Sequence, residues 1–411
     1  LFLLVEGLAN GKTLPAPANF VKPDHLKMPE TPPTDLKLGY WLESSDRGPL
    51  GGAGCNVRMV TSAPAISHNI YGEQPYCSAD GARFTILRQY RLGPGATSEL
   101  LVYDIPRYRV ALLASEASRP ATAAWSGVQF VVAGQGPKAR LVRFDLNTLE
   151  RQDLFELGDI PTGGLYTISG DHRYGLSSMR ISPGNFGIVR VDLQTGKWKT
   201  IYESPDICNP HLQFRLQTGQ RILVQENRGS KFDANGNMLS ACDERGVGLF
   251  SIAADGSDKR DFPVGPPHTA RTTGHECWIG DTDHVLVTIS DYYDDGQNRG
   301  TLLECSPDWP KPRVVSTASQ KWNHVSASRC GRYFVTDSYE TRNTPLIVGS
   351  IRTGKWRVLC EPGTTGGGGQ YSHLHPYLTS DNRWVVFNSD RTGLAQVYLA
   401  EVPPEFLASL E

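Results

Sequence analysis

"HPYLTSDNRWVVFNSDRTGLAQVYL", residues 375–399, is the stretch that decides the fold. It reads as a short strand, a Ser380-Asp381 turn, an apolar strand ("WVVFNS"), a second turn ("DRTG") and a further strand ("QVYL"). Ser, Asp, Asn and Gly at such spots supply side-chain caps or positive φ for tight turns. The strand–turn–strand part recurs in "QPYCSADGARFTILRQ" (74–89), "YTISGDHRYGLSSMR" (166–180) and "HLQFRLQTGQRILVQENR" (211–228). It recurs again in "ECWIGDTDHVLVTISD" (276–291) and "HVSASRCGRYFVTDS" (324–338), with a degenerate copy over 125–145.

A hairpin pattern follows the first. It is clearest in "LVRFDLNTLERQDLF" (141–155), "IVRVDLQTGKWKTIYE" (188–203), "LFSIAADGSDKRDFP" (249–263) and "LIVGSIRTGKWRVLCE" (346–361). Each is an alternating apolar strand, an NT, TG or DG turn, and a partner strand. The "TGK" of two copies is therefore a hairpin turn, since a phosphate loop would need GxxxxGK[ST] after a strand. Together the two patterns give about seven four-strand units, a period that indicates a β-propeller. The fold expected is all-β, a single seven-bladed ring over residues 36–403. Closing the ring also removes exposed sheet edges. The last unit supplies three strands, so "GCNVRMVTSA" (54–63) is predicted to complete it. Residues 1–35 read as a Pro-rich N-terminal extension and 404–411 as a C-terminal tail.

Composition narrows the function classes. The net charge of −2 gives no electrostatic footprint for nucleic acid. No apolar run reaches the roughly 18 residues of a membrane span. The start, "LFLLVEGLANG", reads either as the remnant of a signal peptide with Gly7-Leu8-Ala9 at its cleavage site or as an ordinary chain end. The first implies a secreted or periplasmic protein and the second a cytoplasmic one. Eight scattered cysteines contain no CxxC pair, so no zinc ribbon is indicated. No GxSxG occurs, which excludes a propeller-linked serine peptidase of the α/β-hydrolase type.

In a propeller the starts of innermost strands and the ends of second strands meet at one mouth of the ring. The innermost-strand starts carry His211, His275, His324, His373 and His375, five of the chain's ten histidines in four consecutive units. The second-strand ends carry Arg88, Arg180, Arg228, Asp291, Asp337 and Arg391. Any one of these histidines alone would be read as ordering a turn. As a set, three imidazoles and the Gln370 carboxamide match the ligand chemistry of a first-row divalent metal.

The repeat resembles the WD40-like repeat of TolB-type propellers. Over residues 205–403 the chain also resembles oligogalacturonate lyases, on "GHECW" (274–278), "WNHVSAS" (322–328) and "QYSHLHPYLTSDNRWVVFNSD" (370–390). The resemblance implies His275 as catalytic base, His324, Gln370, His373 and His375 as metal ligands, and manganese as the metal, with zinc or calcium as alternatives. Two departures stand out. Asn209-Pro210-His211 replaces a His-Pro-Gln segment, and Gly248 stands where the family has an arginine that assists catalysis. Arg228 and Arg180 are the candidates to replace that arginine. Related seven-bladed lyases of ulvan or rhamnosyl-glucuronate ends use His, Tyr and Arg, roles that Tyr166 and His68 would suit. His68, His211, Arg88 and Arg391 are the expected substrate contacts.

The expected activity is β-elimination on an acidic, uronate-containing glycan. The C5 proton beside a carboxylate is weakly acidic, an imidazole can take it, and an arginine can grip the carboxylate. A lyase or glycoside hydrolase on rhamnosyl-glucuronate or ulvan-type glycans, or a non-catalytic TolB-like binding propeller, are the alternatives.

Overall fold

The computed structural model describes residues 33–411 apart from 92–96, 159, 161–163, 217–218, 273–274, 291–299, 339–342 and 367–368. The signal-peptide reading and Asp291 lie outside the described residues. Within them the chain is strand and turn, with short 3-10 turns and one short α-helix, Pro404–Ala408.

Among the described residues the strands fall into seven antiparallel units of four. We number these blades 1–7 in chain order. Their innermost strands are Ile66–His68, Ala121–Thr122, Thr167–Ile168, Gln213–Phe214, Glu276–Trp278, Val325–Ala327 and Tyr377–Leu378. Blades 1 and 2 are joined into one sheet by a pairing of Ala117 with Ala133. The degenerate copy at 125–145 forms the second and third strands of blade 2. Its innermost strand lies just before it, and Trp125 sits in the turn at φ 57°.

The repeated turn chemistry is the same from blade to blade. A Ser or Thr hydroxyl donates to an Asp two residues on in Ser78–Asp80 (2.5 Å), Ser169–Asp171 (2.6 Å) and Thr379–Asp381 (2.7 Å). Each Asp also accepts the amide two residues further along. Both "TGK" hairpins turn through glycine at positive φ, 67° at Gly196 and 70° at Gly354, a region that costs other residues energy.

The core lies between adjacent blades rather than inside one. Cys277, Leu286 and Leu302 of blade 5, for instance, pack on Val325, Phe334 and Ile347 of blade 6. Trp198, Trp356 and Trp384 each pack against such a layer. Asn56–Met59 completes blade 7, with Val57, Arg58 and Met59 opposite Ala400, Leu399 and Tyr398. Ser45–Pro49 then adds a fifth strand. Further upstream, Tyr40–Trp41 pairs with the outer strand of blade 1, and Thr34–Asp35 with that of blade 2. The helix at 404–408 is packed as well: Phe406 and Leu410 are buried against blade 7, and Glu411 pairs with Arg332 and Arg352 of blade 6.

Candidate metal centre

Blades 4 and 7 hold their histidines by one device. His211 and His375 both have left-handed backbone, φ 43°, two residues ahead of the innermost strand. The Gln225 amide N–H donates to Pro210 O and its carboxamide to Asn209 O. In blade 7 the Asn388 N–H donates to Leu374 O and its carboxamide to His373 O. A non-glycine residue at positive φ is strained unless its surroundings hold it there, and these paired bonds do so. Blade 6 uses a carboxylate instead. Asp337, fully buried at the second-strand end, accepts the His324 amide (3.0 Å) and lies 2.8 Å from its Nδ1. That bond places the ring proton on Nδ1 and presents Nε2 as a lone pair.

His324, His373 and His375 converge, each offering a ring nitrogen within 4.8 Å of the others. Their rings lie 4.3–5.8 Å apart. Burial, and then the neighbouring His324, hold His373 down to about 4 and His375 well below the usual imidazole range. Both are neutral donors at pH 7. Neither ring nitrogen of His375 has a hydrogen-bond partner, and neither has Gln370 Oε1 in the 3-10 turn Gly369–Ser372. Buried polar atoms are seldom left unpartnered. Neutral imidazoles together with a carboxamide oxygen are a donor set that fits a divalent first-row cation.

His275 adjoins this triad, its ring 4.5 Å from that of His324. Burial, then the surrounding histidines, push it well below its ordinary pKa, yet its side chain keeps 23 % exposure. It is a neutral imidazole that a bound molecule can reach. His211 lies 3.3 Å from Glu276 and 3.9 Å from Glu73. Burial would drive its proton off, but the charges of Glu73 and Glu276 outweigh that and raise its pKa. Burial and the Glu276 charge push Glu73 up to about 8.

Glu73 belongs to a strap that the sequence reading left without a role. Between His68 and Cys77, the segment "NIYGEQPY" leaves blade 1 and crosses the ring axis. Gly72 packs on the backbone of His375 and Pro376 in blade 7, and Gln74 donates to Leu212 O in blade 4. On the way Tyr71 lays its ring 4.5 Å from His375 and 6.2 Å from His211. The strap floors the site. The eight residues separating His68 from the strand-pairing Cys77 were the available signal, since no other unit carries such an insertion there.

The remaining expected site residues divide. His68 is at the centre, 5.2 Å from Tyr371 ring to ring, and burial and Arg119 hold it down to about 3. Tyr166 accepts a hydrogen bond from Ser178 at 3.4 Å on the blade 3 side. Arg88 is not an open substrate contact: it forks onto Glu43 (2.6 and 2.8 Å) and bonds Ser67, with 4 % exposure. The N-terminal segment, invisible to repeat analysis, brings that Glu43. Arg391 is exposed on the turn after Ser389, outside the histidine cluster. Arg180 donates to Gly236 O and lies over Phe186 and Phe232, tied to the hairpin inserted at Lys231–Ser240 of blade 4. Arg228 bonds Glu226 (3.1 Å), and its guanidinium covers Gly248, where a Cβ would stand 2.4 Å from Nη2. The space beside Gly248 is thus filled by the side chain of Arg228, which follows the neighbouring strand Arg221–Asn227.

Comparison with known proteins agrees with this picture. No protein-family model matches the chain. It is 24% identical over 299 residues to an oligogalacturonate lyase of Dickeya dadantii, covering 64% of this chain and 72% of that protein. It is 25% identical over 301 residues to an oligogalacturonide lyase of Pectobacterium atrosepticum, with the same coverage. In structure it is similar to an oligogalacturonate lyase in complex with manganese, with a TM-score of 0.67 and 16% identity over 92% of this chain and 100% of that one. It is also similar to the oligogalacturonate lyase of Vibrio parahaemolyticus, with a TM-score of 0.64 and 17% identity over 91% of this chain and 99% of that one. The chain is an all-β propeller similar in sequence and fold to these lyases.

Proposed function

We propose that the protein is a lyase that cleaves oligogalacturonate, or a closely related uronate-containing oligosaccharide, by β-elimination. The observation that carries this reading is the neutral, reachable His275 set against the converging ring nitrogens of His324, His373 and His375. His324, Gln370, His373 and His375 would hold a divalent ion, manganese by analogy with the similar structure. When bound, that ion supplies positive charge to stabilise the enediolate of the substrate carboxylate.

The chain's own residues supply the rest. His275 Nε2 accepts the C5 proton, while Nδ1 faces the Glu73 carboxyl at 3.9 Å. An imidazole neutral at pH 7 is ready for this without first losing a proton. The C5 electron pair forms the C4–C5 double bond, the C4–O4 bond breaks, and O4 leaves with a proton. His211, whose charged form Glu276 at 3.3 Å favours, is the group able to give it. Tyr71 of the strap lies against the site, its ring 4.5 Å from that of His375. The substrate is an acidic oligosaccharide, and no helix among the described residues is long and apolar enough to cross a membrane.

The test is purified protein with Mn²⁺ and oligogalacturonate, followed by ultraviolet absorbance of the unsaturated product and by product mass. Elimination gives a product one water lighter than hydrolysis. EDTA is expected to abolish the signal and added Mn²⁺ to restore it. Saturated products, or no products from any uronate oligomer, would overturn the lyase reading.

A further inference from the structure

Arg119 sits between the outer strand of blade 1, Arg109–Ala117, and the innermost strand of blade 2, Ala121–Thr122. Its Cζ lies 5.4 Å from the centre of the Tyr71 ring, and that ring in turn lies 4.5 Å from His375. One aromatic ring therefore separates the guanidinium from the histidine triad. Its Nε is buried and donates to nothing, within a side chain that is half-buried overall. Among the described residues it forms no ion pair, whereas Arg88 is spent on Glu43 and Arg228 on Glu226. Its charge is felt by His68, Tyr71 and Glu73, and its other neighbours are the phenols of Tyr76 and Tyr166.

A guanidinium stays charged at any physiological pH. Burying a charge without a counter-charge is costly. Imidazoles and phenols cannot neutralise it, and the Glu73 carboxyl, 3.9 Å from both His211 and His275, makes no ion pair with it among the described residues. The missing partner is an anion brought in from outside, and a planar carboxylate matches the two parallel N–H groups of a guanidinium. We propose that Arg119 is the residue that grips the carboxylate of the bound sugar acid, the role assigned from sequence to Arg180 or Arg228. The identity of that anion as a uronate rests on the lyase reading above. The place of the carboxylate, beside Tyr71, comes from the geometry alone.

Binding to manganese-loaded protein tests this in a His275→Ala background, which prevents turnover. The probes are digalacturonate and its methyl ester, measured by titration calorimetry with manganese content and Tm as folding controls. Charge-assisted hydrogen bonds of this kind predict that Arg119→Gln weakens digalacturonate binding about 10–100-fold. Arg119→Lys is expected to fall between, because it keeps the charge and loses the fork. Ester binding is expected to be weak and the same in all three proteins. Unchanged digalacturonate affinity in Arg119→Gln would overturn the proposal. So would an equal loss for acid and ester, which marks a structural role, or binding of neither probe to the His275→Ala parent. The two readings separate cleanly. Arg119-dependent binding with no unsaturated product from the unmutated protein leaves this inference standing and removes the lyase. Unsaturated product formed with unchanged kcat/KM by Arg119→Gln does the reverse.

Discussion

Asp337 shows how one side chain outside the ligand set can govern the site. It orients His324 through both the amide and Nδ1. Losing such a partner typically costs about 10–100-fold in metal affinity, so Asp337→Asn is expected to weaken Mn²⁺ binding by that much while Tm of the metal-free protein changes little by comparison. Metal titration decides it. His275 carries a pH prediction. A base must be neutral to accept a proton, and burial with neighbouring histidines holds its pKa well below 6.5. A bound dication pushes in the same direction. The acid limb of kcat/KM is therefore expected below the ordinary imidazole range, and a limb at pH 6.5 or above would rule out His275 as the base. Glu73 affects stability instead. Its carboxyl keeps its proton up to about 8 in the folded protein, against an ordinary 4.5. Between those values the folded state holds a proton that the unfolded chain has lost, so stability falls as pH rises through the window. Glu73→Gln is expected to flatten that fall in the metal-free protein, read as Tm against pH. The histidines were legible in the sequence because the repeat aligns them. Asp337 was legible only as a second-strand end. Arg119 and Glu73 were not, because each lies where the repeat is interrupted and no period marks it.

Among the elements, the strap from Asn69 to Tyr76 does what no repeat unit does. Blade strands are predictable from alternation and turn chemistry, and the turns at Ser78, Ser169 and Thr379 repeat the same bonds. The strap instead depends on contacts from distant blades. Gly72 is its tightest point: a Cβ there would come within 2.6 Å of Pro376 O and 2.7 Å of His375 O. Backbone cannot yield as a flexible side chain does, and such overpacking costs about 1–3 kcal/mol. Gly72→Ala is expected to lower Tm and also to loosen His375, so Mn²⁺ affinity falls with it. A Tm loss with unchanged metal affinity would show that the strap does not brace the ligands. The same reasoning explains Arg228. Its cover over Gly248 is a relation between neighbouring strands, and linear order cannot reveal which side chain fills a space left by a glycine.

At the scale of the molecule, one strand holds the ring shut. Val57 is fully buried, pairs with Ala400 and packs in the core between blades 6 and 7. An aspartate there would bury a charge and remove apolar contact, a loss of about 3–5 kcal/mol. Because the strand joins the first and last parts of the chain, Val57→Asp is expected to lower the urea midpoint of the whole protein. Local proteolysis near residues 45–60 with an unchanged midpoint would instead mean that the closure is a separate unit. The sequence by itself determined the blades and the closing strand, through local periodicity and turn residues, and pointed to the four ligand candidates through the aligned histidines and the resemblance to oligogalacturonate lyases, all of which a linear string carries. Only the tertiary structure decided that Glu43 takes Arg88, that a strap floors the site and that Arg119 stands unneutralised beside it. Those outcomes depend on which residues, hundreds apart in the chain, compete for the same space and charge around one axis, and that competition exists only once the ring has closed.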